Sequence, residues 1–205
     1  MRKLLLIAVL SLLPLLSQAK VKGYYRVSLE SVDVNDAVGT IQNVVGADQF
    51  TYPTYRDNKI DIRFEFQPTH IDFQLTNKAT SSLKIHWDDA IYVGGPNGVS
   101  TGVFHAGVKL IDREQPQTPS IVVKGSKIND LLVTKSGVSF NAYFGRWLYN
   151  YILYWEDQLT NVKILLPIEL NGEKFEYLFS FSVDWENVKV KTRIIDGKEY
   201  YFQMK

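Results

Sequence analysis

The stretch "HIDFQLTNKATSSLKIHWDD", residues 70–89, holds two of the chain's 3 histidines, His70 paired with Asp72 and His86 with Asp88 in matching His-x-Asp steps. On a strand, residues i and i+2 share a face, so each pair looks one way. If 70–77 and 82–88 form an antiparallel hairpin, matching the apolar faces sets Leu75 opposite Leu83, Phe73 opposite Ile85 and Ile71 opposite Trp87. The same register sets Asp72 against His86 and His70 against Asp88, with facing Cβ atoms about 5 Å apart. Imidazole and carboxylate groups so gathered suit zinc or a similar transition ion. The plainer reading is a wet strand face carrying weak ion pairs. If the turn instead carries the chain between two sheets, the square never forms. The plainer reading is preferred and no cofactor is expected; His70, Asp72, His86 and Asp88 stand as the metal alternative.

A second chemical feature is aromatic. Seven of the thirteen residues from Tyr143 to Trp155 are aromatic, among them Tyr143, Trp147, Tyr151, Tyr154 and Trp155. Aromatic rings with polar tips are enriched at binding surfaces, and flat rings also stack on sugars. The competing reading is that they close an open end of the core. Residues 141–161 read either as a short helix aligning Trp147, Tyr151 and Trp155 or as an aromatic-rich crossing loop.

Signals for catalysis are weak. There is no Gly-x-Ser-x-Gly and no cysteine. Ser81-x-x-Lys84 lacks the companion motifs of penicilloyl-serine enzymes. Gly94-Gly95-Pro96-Asn97-Gly98 lacks the following Lys of a phosphate loop and reads as a turn. Asp88-Asp89 and Glu156-Asp157 are chain neighbours, which point to opposite faces on a strand, a poor start for paired-carboxylate chemistry.

The elements that must position these groups are strands. "IDIRFEF" turns Ile60, Ile62, Phe64 and Phe66 to one face, and "HIDFQLT" and "LKIHW" continue the alternation, with residues 99–110 as a further extended segment. Asn171-Gly172 signals a two-residue hairpin turn needing φ > 0 at both residues. That turn pairs Leu170 with Glu173, Ile168 with Phe175, Leu166 with Tyr177, Ile164 with Phe179 and Val162 with Phe181; beyond the first pair every partner is apolar. Pro167 then faces Glu176 at a non-hydrogen-bonded position, which suggests an edge or bulged strand for 162–170. Residues 35–58 and 112–120 read as loops. Roughly eight to ten short strands with at most one short helix predict an all-β fold, a single β-sandwich spanning 20–205.

Residues 71–108 add a resemblance. Phe73, Leu75, Asn77, Leu83, Ile85, Tyr92, Gly98 and Gly107 follow an alternating strand ending in Asn, a polar turn, a second strand, a Gly turn and a strand ending near Gly. This pattern is similar to Ig-like β-sandwich domains of the late-embryogenesis-abundant/WHy type and related bacterial envelope proteins. The usual Asn-Pro-Asn of those domains reads Asn77-Lys78-Ala79 here. The resemblance implies an Ig-like fold and no particular activity.

The first nineteen residues read as a signal peptide: Arg2 and Lys3, an apolar run from Leu4 to Leu16, then Ser17-Gln18-Ala19. The run is short for a membrane span of about 20 residues, so no transmembrane segment is expected after cleavage, and the absence of cysteine excludes a lipoprotein. Cysteine-free export fits a bacterial periplasm or cell surface. A formal net charge of +1 gives no basic footprint for nucleic acid. The expected function is a non-catalytic exported binding or structural protein of the bacterial envelope, its partner an envelope protein or a glycan. A glycan- or small-ligand-binding module using residues 143–155 is the second reading, and a hydrolase of unrecognised type the third.

Overall fold

The computed structural model describes residues 23–35, 38–46, 50–95, 98–153, 161–187, 190–195 and 198–203. The expected signal peptide, 1–19, lies outside them. Two compact units are present: Tyr25–Glu186, and a second drawn from Met1–Tyr24 and Asn187–Lys205. Among the described residues no helix is long and apolar enough to cross a membrane.

The strands of the first half are β1 (Gly23–Asp33), β2 (Thr40–Val45), β3 (Thr51–Arg56), β4 (Ile60–Phe66), β5 (Ile71–Asn77), β6 (Leu83–Ile85) and β7 (Ile91–Gly94). They are followed by β8 (Val99–Phe104), β9 (Ser120–Val122), β10 (Lys127–Thr134), β11 (Val138–Asn141), β12 (Arg146–Tyr149), β13 (Asn161–Leu170) and β14 (Glu173–Asn187). β15 (Val190–Ile195) and β16 (Lys198–Gln203) make a separate antiparallel pair. The protein is all-β, as the alternation predicts.

One large sheet runs β1-β14-β13-β7-β8-β10-β5-β4-β3-β2, with β6 and β9 branching from β13. The sequence pattern led to an expectation of two facing sheets; the pairing here is continuous and nearly closes into a barrel. The Asn43 side chain bridges its two end strands. Asn43 of β2 accepts from the Leu29 N–H at 2.7 Å and donates to the Leu29 carbonyl at 3.1 Å, taking the place of a ladder partner. The interior fills from both ends of the path: Phe64 of β4 meets Phe179 and Phe181 of β14 at ring-centroid separations of 5.0 and 5.2 Å. Each such fully buried ring contributes about 1.5–3 kcal/mol relative to exposure.

The β13–β14 hairpin has the predicted register throughout, from Leu170↔Glu173 to Val162↔Phe181. Asn171 and Gly172 carry the required positive φ, 54° and 84°. The expected edge position is corrected, because β13 is internal, with β14 on one side and β6 and β7 on the other. Pro167 is accommodated by a break in the neighbour. Its carbonyl accepts from the His86 N–H at 3.0 Å, but it has no N–H to return the bond. There the ladder stops, the chain makes a 3-10 turn at Trp87–Asp89, and pairing resumes at Leu165↔Ile91. That is why the expected strand through Trp87 ends at Ile85.

Two other expectations change. Residues 35–58 contain the β2–β3 hairpin, paired from Thr40↔Arg56 to Val45↔Thr51. β2 is almost wholly exposed, so it shows no inward-outward alternation to read. The extended segment expected at 99–110 ends at Phe104 and gives way to turns.

Candidate functional site

The four-ligand square is not formed. β5 pairs with β4 and β10, whereas β6 pairs with β13 and β9, so the two His-x-Asp steps leave in different directions. His70 Nε2 lies 3.4 Å from Asp72 Oδ2, and its Nδ1 is 3.1 Å from Thr69 Oγ1. His86 Nε2 is 2.9 Å from Glu169 Oε2, whose other oxygen takes the Lys84 ammonium at 2.8 Å. Lys84 first, and His86 second, hold the Glu169 carboxyl below its ordinary range. Asp88 Oδ1 accepts the Gln117 N–H at 3.0 Å. Among the described residues no three His, Cys, Asp or Glu side chains gather in a group able to hold a metal ion.

The turn between β5 and β6 is organised by Asn77. Its buried amide donates to the Ser81 and Val122 carbonyls at 2.8 and 2.9 Å and accepts from the Ala79 N–H at 2.9 Å. The side chain thus ties the end of β5 to β9 and leaves β6 free to join β13.

The third histidine, passed over in the sequence, is held by a ring stack and a carboxylate. His105 stacks on the buried Trp87 with centroids 4.4 Å apart and planes 8° apart. Its Nδ1 lies 3.2 Å from Asp130 Oδ2, and Asp130 Oδ1 accepts the N–H groups of Ala106 and Leu131 at 2.9 and 2.8 Å. A carboxylate at Nδ1 favours a proton there, which leaves Nε2 of a neutral ring as an acceptor. Buried Gln117 supports the same corner, accepting the backbone N–H of His105 at 3.2 Å and donating to the Val103 carbonyl at 2.8 Å. Residues 105, 117 and 130 are far apart in sequence, and each alone reads as an ordinary polar residue.

His105 and Asp130 border two adjoining open clefts. One, of about 510 Å³, has His70, His105, Lys109 and Tyr149 around apolar Phe104 and Val133. The other, of about 450 Å³, lies over β4, β5 and β10 and includes Arg63, Glu65, Asp72, Gln74, Asn129 and Asp130. Ala106 and Leu131 belong to both. Both volumes fall in the range of about 300–1,000 Å³ usual for ligand sites.

The aromatic tract is a hairpin, not the expected helix or crossing loop, as far as it is described. β11 and β12 pair from Val138↔Tyr149 to Asn141↔Arg146. Gly145 takes φ 60° in the connecting turn, and Asn141 Oδ1 accepts the Phe144 N–H at 3.0 Å. Trp147 is half-buried against Phe104, Val133 and Val138, with the Arg113 guanidinium 5.1 Å from its ring centroid. It therefore anchors the hairpin. Tyr143 at the tip is 90% exposed and Phe144 59%, and Tyr151 is also exposed. Tyr154 and Trp155 lie outside the described residues. Tyr149, one of the seven aromatics of the tract, joins the hairpin to the first cleft.

No protein-family model, curated protein or solved structure matches this chain.

Proposed function

We propose that this chain is an exported, non-catalytic binding or structural protein of a bacterial envelope, and that it engages its partner through the tip of the β11–β12 hairpin. The observation that carries the reading is the exposure of Tyr143 and Phe144, whose rings pack edge-to-face at 4.9 Å on a hairpin anchored by Trp147. Large rings held in a fixed geometry lose little entropy on binding, which is the economy of an interface anchor. The export half of the reading rests on residues 1–19. The Ig-like kinship belongs to the same proposal and draws support from Asn77, which stands at the motif position and acts as a buried backbone tie.

The test is co-purification from the native envelope with the partner identified. The double variant Tyr143→Ser/Phe144→Ser should fold with an unchanged melting temperature and lose that partner. Retention of the partner sinks the hairpin assignment. Mass measurement should show Lys20 as the first residue, and an intact Met1-containing protein in the cytoplasm would overturn export. A second reading, a ligand-binding module, is favoured by the two adjoining clefts, one of which Tyr149 lines.

A further inference from the structure

The floor of the second cleft is a three-strand face with side chains in two cross-strand rows. Arg63, Gln74 and Asn129 are register partners across β4, β5 and β10, and Glu65, Asp72 and Leu131 form the next row. Neighbours in a row stand about 4.8 Å apart. Gln74 Nε2 donates to Asn129 Oδ1 at 2.8 Å. That bond leaves the Gln74 carbonyl oxygen as an acceptor and the Asn129 amide hydrogens as donors. The surface therefore presents donors and acceptors interleaved at short range.

Three classes of ligand fit this surface poorly. A peptide adding as a strand needs an open edge, but β5 is paired with β4 and β10 along residues 71–76, so a ligand lying over it meets side chains only. An anion meets the carboxylates of Glu65, Asp72 and Asp130 against the cations Arg63 and Lys109, an unfavourable balance. A wholly apolar ligand strips water from those polar groups without replacing their hydrogen bonds, and each group left unpaired weakens binding. A neutral polyhydroxyl chain has none of these faults. Each hydroxyl both donates and accepts, and the C–H face of a pyranose ring suits the electron-rich face of an aromatic side chain. Tyr149, 48% exposed, supplies such a ring at the far cleft. His105, held by Asp130 and Trp87, stands where the clefts adjoin.

We infer that the two clefts are one groove that takes a short neutral oligosaccharide, hydroxyls on the Arg63–Gln74–Asn129 and Glu65–Asp72 rows and a sugar face on Tyr149. This rests on the ligand-binding reading of the clefts, not on the partner at the hairpin tip. The experiment is titration calorimetry of the purified chain with cello-, chito-, malto- and xylo-oligosaccharides. Inorganic phosphate, tetra-alanine and spermidine serve as probes of other chemistry. One neutral series should bind, more tightly as the chain lengthens. Tyr149→Ala and Asn129→Ala should each weaken it about tenfold, the loss expected of one ring stack or one hydrogen-bonding group. Lys174→Ala, at an exposed ion pair with Asp89, should not change it, and all three variants should keep the parent melting temperature.

Silence across the four sugar series overturns the inference. So does sugar binding that survives both substitutions, or phosphate, tetra-alanine or spermidine binding in their place. If sugars fail while the envelope partner is still captured and still lost in Tyr143→Ser/Phe144→Ser, the groove falls and the hairpin reading stands. Sugar binding with no hairpin-dependent partner gives the reverse.

Discussion

The β13–β14 hairpin and the β5–β6 segment begin from the same kind of sequence and end differently. Both are alternating apolar runs on either side of a polar turn, and in both the apolar faces match in a plausible antiparallel register. In the first, every predicted pair is present. In the second, the two strands part, one to β4 and β10 and the other to β13 and β9. The difference lies in the turns. Asn171-Gly172 reverses the chain by its own backbone preference, whereas the 78–82 connection depends on Asn77 reaching carbonyls at Ser81 and Val122. Alternation says which face is buried. It does not say which strand lies alongside.

The comparison is broken most severely at Asn77. Asn77→Ala leaves the Ser81 and Val122 carbonyls and the Ala79 N–H without their partner. At about 1–3 kcal/mol for each buried group left unpaired, a loss of at least about 3 kcal/mol is expected in chemical denaturation. A near-neutral result would mean that the β5–β6 turn is held by its strands alone.

Alkaline titration tests the barrel side. Burial raises the phenols of Tyr177, Tyr92 and Tyr55 well above their ordinary value, and Asp57, hydrogen-bonded to Tyr177 and Tyr55 at 2.9 and 3.2 Å, raises those two further. Their neutral forms are favoured in the fold. Their contribution is therefore complete below the unfolded-state pKa of about 10 and is lost as pH rises toward the folded values. Phenolate absorbance of these tyrosines should appear together with unfolding; ionisation of all tyrosines with the fold intact would contradict this.

Gly172→Val is the matching test of the first turn. A β-branched residue resists the 84° φ found there, and about 1–3 kcal/mol should be lost, the cost of a strained backbone position. An unchanged denaturation midpoint would show that the turn tolerates another geometry.

The smallest effects belong to the His-x-Asp pairs. His70→Ala and His86→Ala should each move the denaturation midpoint little, because both pairs are partly solvated. Micromolar zinc should not raise the melting temperature. A rise abolished by either substitution would restore the metal square. The Glu169 carboxyl, lowered by Lys84 and His86, lends stability that is present above the ordinary glutamate range. It should fade as pH falls through the lowered value, and more readily in high salt.

Read without a structure, the chain already determines its class, its buried faces and one hairpin down to the residue. Those depend on local chemistry: side chains alternate with period two, and Asn-Gly accepts positive φ. Tertiary structure alone decided that β13 is internal, because Pro167 needed a break in its neighbour that no local pattern announces. It also placed the exposed β2 at the end of the sheet, tied across the seam by Asn43. The candidate site was legible only in fragments. Tyr143, Trp147 and Tyr149 lie in the aromatic tract and His70 in the repeated step, but their meeting with His105, Asp130 and Gln74, from the loop after β8, β10 and β5, was not legible. Contacts between such distant segments follow from which strands the near-closed barrel makes neighbours, and strand order is a property of the whole chain.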